Sequence, residues 1–372
     1  MKKSIFIIFI FVSNLFAQQA TDKNLYLTSN KVDVYAYYQS LKIGNSVLSQ
    51  IAFPVNITIP VDMRMSFSIY SGLALSKYED TEINGLGDTK IGFRYFIPGD
   101  KLIFKAIVSI PTGITELDPN QFILSQILAQ NPLNYPVNYY GQGFNTSLSL
   151  VYATPINKVF ILGAGFVYSY KGKFTPLKNY GEFKLGDEIT ADVGIEAKAS
   201  NNLKFNFDVL YTIFSKDKMD NVDIFQFGNR LSLFAGVKLK TENVSHNLFV
   251  VTKIRENSKF FTKNNEEEIL KNGSQVDINY IGLIPITPKL SINVKLDGKI
   301  YGTYDQFLGG DVLVTGEATV IGCTAGAKLF LSDLISADLN LGYKIGSIIL
   351  PNSEVSSDIS GFLANLGLTF RF

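Results

Sequence analysis

Few residues in this chain are of the kinds that catalyse, and their spacing works against it. The single histidine, His246, lies in "VSHN" between Ser245 and Asn247. A nucleophile, its base and an orienting group must converge on one point, yet neighbours on an extended strand point to opposite faces. These three therefore form no triad by themselves. The one cysteine, Cys323, can make no internal disulfide and reads as a small packed side chain between Gly322 and Thr324. "NGLGD", ending at Asp88, has the glycines of a phosphate cradle without the Gly-Lys-Ser/Thr that would follow, so it reads as a turn entering a strand. The acidic "NNEEEILKNG" (residues 264–273) reads as the solvated face of an outer loop, with divalent-ion binding as its rival. No cofactor, metal or catalytic residue is expected. A net charge of +1 with no basic run gives nothing for nucleic acid to bind.

The chemistry lies instead in how charge is distributed along the chain. In "KLSINVKLDGKI", Leu290, Ile292, Val294 and Leu296 face one way, while Lys289, Asn293, Lys295, Asp297 and Lys299 face the other. The same period of two runs through "EITADVGIEAKA" and "LKFNFDVLYTI" and recurs in about sixteen segments of ten or more residues. They begin near Lys31, Val47, Asp62, Leu86, Lys101, Gly143, Lys158, Glu188, Leu203, Phe225, His246, Gln275, Lys289, Asp311, Leu334 and Gly361. Fourteen is the alternative if the segments near Lys31 and Asp311 are miscounted. Hydrophobic residues make up 46% of the chain, including 29 Phe and 19 Tyr, yet no apolar run beyond residue 12 reaches transmembrane-helix length.

An apolar face on nearly every strand, opposite a charged one, suits a transmembrane antiparallel β-barrel. A β-sandwich would have to bury those charges between its sheets. The connections agree with a barrel. Short turns ("PVD", "PGD", "TPIN", "SNN", "TENVS", "TPK", "LSD") follow even segments. Longer stretches, among them "SKYEDTEING", residues 113–142 and "KGKFTPLKNYGEFKLGD", follow odd ones. With an even count both termini lie on the short-turn, periplasmic side. The expected organisation is a signal peptide over 1–17, from Met1-Lys2-Lys3, the apolar "IFIIFIFV" and Ala17; a short segment over 18–30; and an all-β, up-and-down barrel over 31–372, in the bacterial outer membrane among lipid and lipopolysaccharide.

If the apolar face meets lipid, the other face lines the lumen. Parity assigns to it Asp88, Lys90, Arg94, Lys105, Asp192, Glu196, Lys204, Asp208, Arg230, Lys253, Arg255, Lys295, Asp297, Lys299, Asp338 and Lys344. Both signs occur in similar numbers, as in a hydrated wall of mutually paired groups. Loop 113–142 differs from the wall. Asp118-Pro119 is a helix start, "QFILSQILAQ" carries Phe122, Ile123, Leu124, Ile127 and Leu128, and Asn131-Pro132 is a stop. So apolar a helix belongs in the barrel mouth or against lipid, where it would set access as a constriction or gate.

Three resemblances follow from these residues. The last strand, "LANLGLTFRF", with Leu366, Leu368, Phe370 and Phe372 alternating to the end, resembles the signal by which the barrel assembly machinery recognises outer-membrane barrels. The loop after the fifth strand lies where general porins carry their constriction loop. "GLGDTKIGFRY" (residues 85–95) and "SIPTG" (109–113) resemble the outer-membrane transporter-like family associated with phenol meta-pathway degradation, which is similar to the long-chain fatty acid transporters. That resemblance implies uptake of small hydrophobic compounds. The expected function is passive passage of small-molecule solutes, with no enzymatic activity. The rival readings are a non-conducting structural or adhesive barrel and, weakest, a rim-located hydrolase.

Overall fold

A computed structural model describes residues 29–99, 101–261, 266–308, 312–350, 353 and 355–372. The expected signal peptide lies outside them. The chain runs through β1 (Lys31–Ile43), β2 (Ser46–Pro60), β3 (Met65–Tyr78), β4 (Thr81–Leu86), β5 (Thr89–Ile97) and β6 (Leu102–Ile110) to one helix, α1 (Pro119–Leu128). It continues as β7 (Asn145–Pro155), β8 (Phe160–Lys171), β9 (Lys173–Phe174), β10 (Phe183–Lys184), β11 (Glu188–Lys198) and β12 (Leu203–Phe214). Next come β13 (Lys216–Met219), β14 (Val222–Gln226), β15 (Arg230–Lys240), β16 (Ser245–Arg255), β17 (Ser258–Phe261) and β18 (Glu267–Leu270). The last five are β19 (Gln275–Thr287), β20 (Leu290–Leu308), β21 (Val312–Phe330), β22 (Ile335–Ile349) and β23 (Ser356–Arg371).

Seventeen of these strands form one antiparallel sheet, in which β4 and β5 share a single stave against β3, so the wall is a closed barrel of 16 staves. Each of the sixteen alternating segments in the sequence becomes one stave, which settles the count against fourteen. Closure is made by β1 against β23, in register from Lys31 opposite Arg371 to Ile43 opposite Ile359. Asn30 and Phe372 exchange backbone bonds of 2.9 and 3.1 Å beyond the last pair, and the Thr369 hydroxyl donates to the Asp33 carboxylate at 2.7 Å across the seam. In hydrocarbon every backbone group must find its partner within the protein, and a closed cylinder leaves no free edge.

The faces separate as the period of two requires. Ile51 and Phe53 of β2, Leu148 and Leu150 of β7, Phe205 and Phe207 of β12, and Leu339, Leu341 and Tyr343 of β22 are exposed on the outside. Leu366, Phe370 and Phe372 of the last strand join them, and Leu368 is half-buried. A continuous apolar exterior on a cylinder without edges is a surface for lipid, so the chain is an outer-membrane barrel. Among the described residues no helix is long and apolar enough to cross a membrane; the crossing is made by strands.

Two local expectations are corrected. "SKYEDTEING" is not a long loop: β3 continues to Tyr78 and pairs directly with β4 across a tight turn, with Glu79 at φ 53°. The long connections after β8, β12 and β16 partly refold into a second sheet of six short strands, in the order β18-β17-β14-β13-β10-β9, above the staves that carry them. The acidic 264–273 stretch contributes β18 to it, where Glu267 pairs with Lys259 at 2.7 Å. Cys323 is also placed differently from expectation. It is exposed on the outer face, while its neighbour Thr324 is buried inside. In proteoliposomes, a membrane-impermeant maleimide should leave Cys323 unlabelled and should label it after denaturation. Labelling of the folded, lipid-embedded protein at the denatured rate would put this face in water.

Candidate functional site

The interior is built by the side chains opposite the lipid face, and it divides into two unlike halves. On β1 to β4 and β21 to β23, the inward positions near the long-loop end are apolar: Leu41, Ile43, Leu48, Ala52, Ala74, Ile83, Ala318, Val320, Ile348 and Ile359, all buried. Loop 113–142 folds into the barrel against them. Its Leu117, Leu124, Ile127, Leu128, Leu133, Tyr135, Val137 and Tyr140 join the same buried cluster. Phe122 packs at its margin, and Ile123 stays 40% exposed on the other side of the helix. The helix occupies the mouth, not the lipid face. Gln121 tethers it by donating from Nε2 to the Glu82 carbonyl at 3.0 Å.

A loop without regular pairing must satisfy its backbone some other way, and the wall supplies the partners. Gln50 makes a two-way bond with Val137, accepting from its N–H at 3.0 Å and donating to its carbonyl at 2.7 Å. The Leu133 carbonyl accepts from Gln39 Nε2 at 2.8 Å and Lys344 Nζ at 2.7 Å, and the Asn131 carbonyl accepts from Lys299 Nζ at 2.8 Å. Two tyrosines reach back. Tyr135 donates to the Leu48 carbonyl at 2.7 Å, and Tyr140 donates to Ser76 Oγ at 2.7 Å. Burial pushes the Tyr140 hydroxyl up to about 12, which keeps it a donor at any physiological pH.

Asp88, in the break between β4 and β5, closes the base of the loop. Its Oδ2 accepts from Gln142 N–H at 2.7 Å and its Oδ1 from Gly113 N–H at 3.2 Å, so one carboxylate holds both ends of the insertion. Thr112 adds bonds to Thr89 N–H (2.9 Å) and the Gly87 carbonyl (3.2 Å). A Cβ at Gly113 would meet the Tyr140 carbonyl oxygen, so only glycine fits there. The two short motifs, residues 85–95 and 109–113, thus meet as the clasp of this loop. Lys90, next along, donates to the Tyr139 hydroxyl at 3.0 Å.

The remaining inward charges lie outside the apolar cluster. Arg94 and Lys105 are register partners on β5 and β6. Glu196 pairs with Lys204 at 3.6 Å, and Asp192 and Asp208 are inward on the same two strands, β11 and β12. Lys253 donates to Asp277 at 3.0 Å, and Lys328 pairs with Asp338 at 3.2 Å. Lys295 and Asp297 share β20 with Lys299. Arg230 and Arg255 are register partners on β15 and β16, with their guanidinium carbons 5.2 and 5.1 Å from the Phe214 ring centre. The parity argument missed the inward apolar positions, Phe234 and Phe249 among them, whose rings stack at 5.9 Å. His246 bonds through Nδ1 to the Tyr280 hydroxyl at 2.9 Å, near the short-turn end. Among the described residues no cluster of His, Cys, Asp and Glu could hold a metal ion.

Neither a family profile nor a curated protein matches the sequence. Solved structures of similar shape include the outer membrane protein OprD from Pseudomonas aeruginosa (10% identity, 92% of this chain and 94% of that one, TM-score 0.49). Others are a bacterial polysaccharide outer membrane secretin (10%, 94% and 100%, TM-score 0.47) and the CymD monoaromatic hydrocarbon channel (12%, 97% and 92%, TM-score 0.44). At these distances they add nothing to what the barrel itself establishes.

Asp88→Ala would remove both carboxylate bonds at the loop base, each worth about 1.5–3 kcal/mol. Limited proteolysis should then cut within 113–142 several-fold faster while the barrel stays resistant. An unchanged cutting rate would mean that the clasp does not hold the loop.

Proposed function

We propose that this protein is an outer-membrane channel for passive passage of small molecules, narrowed by loop 113–142. The observation that carries the reading is the asymmetry of the interior. The loop fills the apolar half, while the inner face from β6 to β19 keeps charges of both signs, as a water-filled path would require. A barrel of this strand number leaves room for such a path beside an infolded loop. Among the sequence-derived lumen residues, Lys90, Lys299 and Lys344 serve the loop, and Asp192, Glu196, Lys204, Asp208, Arg230, Lys253 and Arg255 line the path. Residues 85–95 and 109–113 clasp the loop base, so their family likeness reflects shared architecture and does not by itself assign hydrophobic solutes. The reading is non-enzymatic: His246 bonds to a phenol and sits away from the outer rim. The alternating Leu366, Leu368, Phe370 and Phe372 serve as the address read by the assembly machinery.

In planar lipid bilayers the refolded protein should give discrete conductance steps, and deleting 122–130 should raise them roughly twofold or more by opening the narrowed bore. Silence from a folded wild-type barrel would overturn the channel, and unchanged steps in the deletion would remove the loop from it.

A further inference from the structure

Loop 113–142 has a second side, away from the wall, where it forms a cleft that the channel reading leaves unused. Helix α1 turns Leu124, Ile127 and Leu128 into the apolar cluster. Phe122, Ser125 and Gln126, spaced i, i+3 and i+4, share another face of the helix and line the cleft. Phe174 of β9 and Pro176 just beyond it supply a further wall, and Thr115, Tyr139 and Gln142 come from the two legs of the loop. Those legs run in contact, since a Cβ at Gly141 would lie 2.7 Å from the Ile114 carbonyl oxygen.

The loop and the strand segment are fastened to each other. Leu117 N–H donates to the Pro176 carbonyl at 3.3 Å, and the Leu117 carbonyl accepts from Lys178 N–H at 3.0 Å, one rung of parallel pairing. Lys178 also pairs with Asp118, at the start of α1, at 3.0 Å. The cleft is therefore formed before any ligand arrives, and it is open to solvent on one side.

Its lining is selective. None of the lining side chains is charged. The hydrogen bonds of Gln126 and Gln142 run through their backbones, leaving both amide side chains, with the Thr115 and Ser125 hydroxyls, without a partner among the described residues. Tyr139 is already held by Lys90, at 3.0 Å, and serves as wall. Phe122 and Phe174 add aromatic surface. An ion here would give up hydration to a lining with no charge of its own. An apolar molecule would strip water from four polar side chains and return no hydrogen bond. A sugar ring matches both parts, with C–H faces for the aromatic rings and hydroxyls that donate to and accept from amides and other hydroxyls.

We infer that this cleft binds a neutral sugar ring at the barrel mouth, with its hydroxyls on Gln126 and Gln142 and a C–H face against Phe122. A free sugar and the polysaccharide of the outer leaflet offer the same chemistry, and the test separates them. The site goes beyond the channel reading and does not rest on it.

The test is saturation-transfer NMR on the refolded barrel in deuterated detergent, with empty micelles as blank. The probes are the methyl glycosides of glucose, galactose and mannose, with glucuronate and glucosamine as charged sugars. At least one glycoside should receive saturation, strongest at its ring C–H protons, and bind roughly tenfold or more tighter than either charged sugar. Gln126→Ala and Phe122→Leu, which removes the ring and keeps an apolar side chain at the cluster margin, should each weaken it roughly fivefold or more. Gln142→Ala stands in if either fails to fold. Displacement of the bound glycoside by polysaccharide freed from the host's lipopolysaccharide would support the site and assign it to the outer leaflet; persistence would support it and assign a free sugar. No transfer to any glycoside, equal binding of the charged sugars, or unchanged binding in the folded variants would overturn the inference. Binding without conductance would sink the channel reading alone, and conductance without binding would sink this site alone.

Discussion

Hydrocarbon offers a peptide group no partner, and the rest of this structure follows from that constraint. The sheet has to close, and the seam between β1 and β23 is where it does, with the terminal Phe372 bonded to Asn30 and the Thr369 hydroxyl bonded to Asp33. Closure fixes which face of every strand meets lipid. A wall one strand thick with its apolar side turned outward has no core of its own, so whatever organises the interior has to come from elsewhere in the chain.

Here it comes from the connection between β6 and β7. The insertion brings eight buried apolar and aromatic residues into the barrel and meets a lining matched to it, with leucine, isoleucine, valine and alanine at inward positions of seven neighbouring staves. The polar cost of burying an irregular backbone is met by particular side chains: Gln39, Gln50, Lys299 and Lys344 from the wall, Tyr135 and Tyr140 from the loop, and Asp88 at its base. These bonds tie the loop to one side of the bore. The opposite side keeps its ion pairs, such as Lys253 with Asp277, and its aromatic surface of Phe234 and Phe249.

The wall was legible in the sequence because lipid and water impose opposite demands on successive residues. That alternation located all sixteen staves, and Asp118-Pro119 located the start of α1. The interior was less legible, because the same alternation says only which side a residue takes and not what it meets there. Leu41, Leu48, Val320 and Ile348 share the parity of Gln39, Gln50, Thr324 and Lys344 and are inward for that reason. Their presence at inward positions near the loop end was the available signal for an infolded segment. The six-stranded sheet above the rim has strands of two to five residues, such as β9 and β14, too short for periodicity to register. Its order depends on pairings between distant loops.

The most direct test of this account is amide hydrogen exchange across residues 113–142 in the lipid-embedded protein. The Val137 N–H is bonded to Gln50, the Gln142 N–H to Asp88, and the Ala129 N–H to the Ser125 carbonyl. If the loop is the inner core of the barrel, these amides should be protected to a degree approaching those of β1 and β2. Exchange throughout the loop at the rate of an unstructured peptide would contradict it, and would leave the apolar lining of the wall without an explanation.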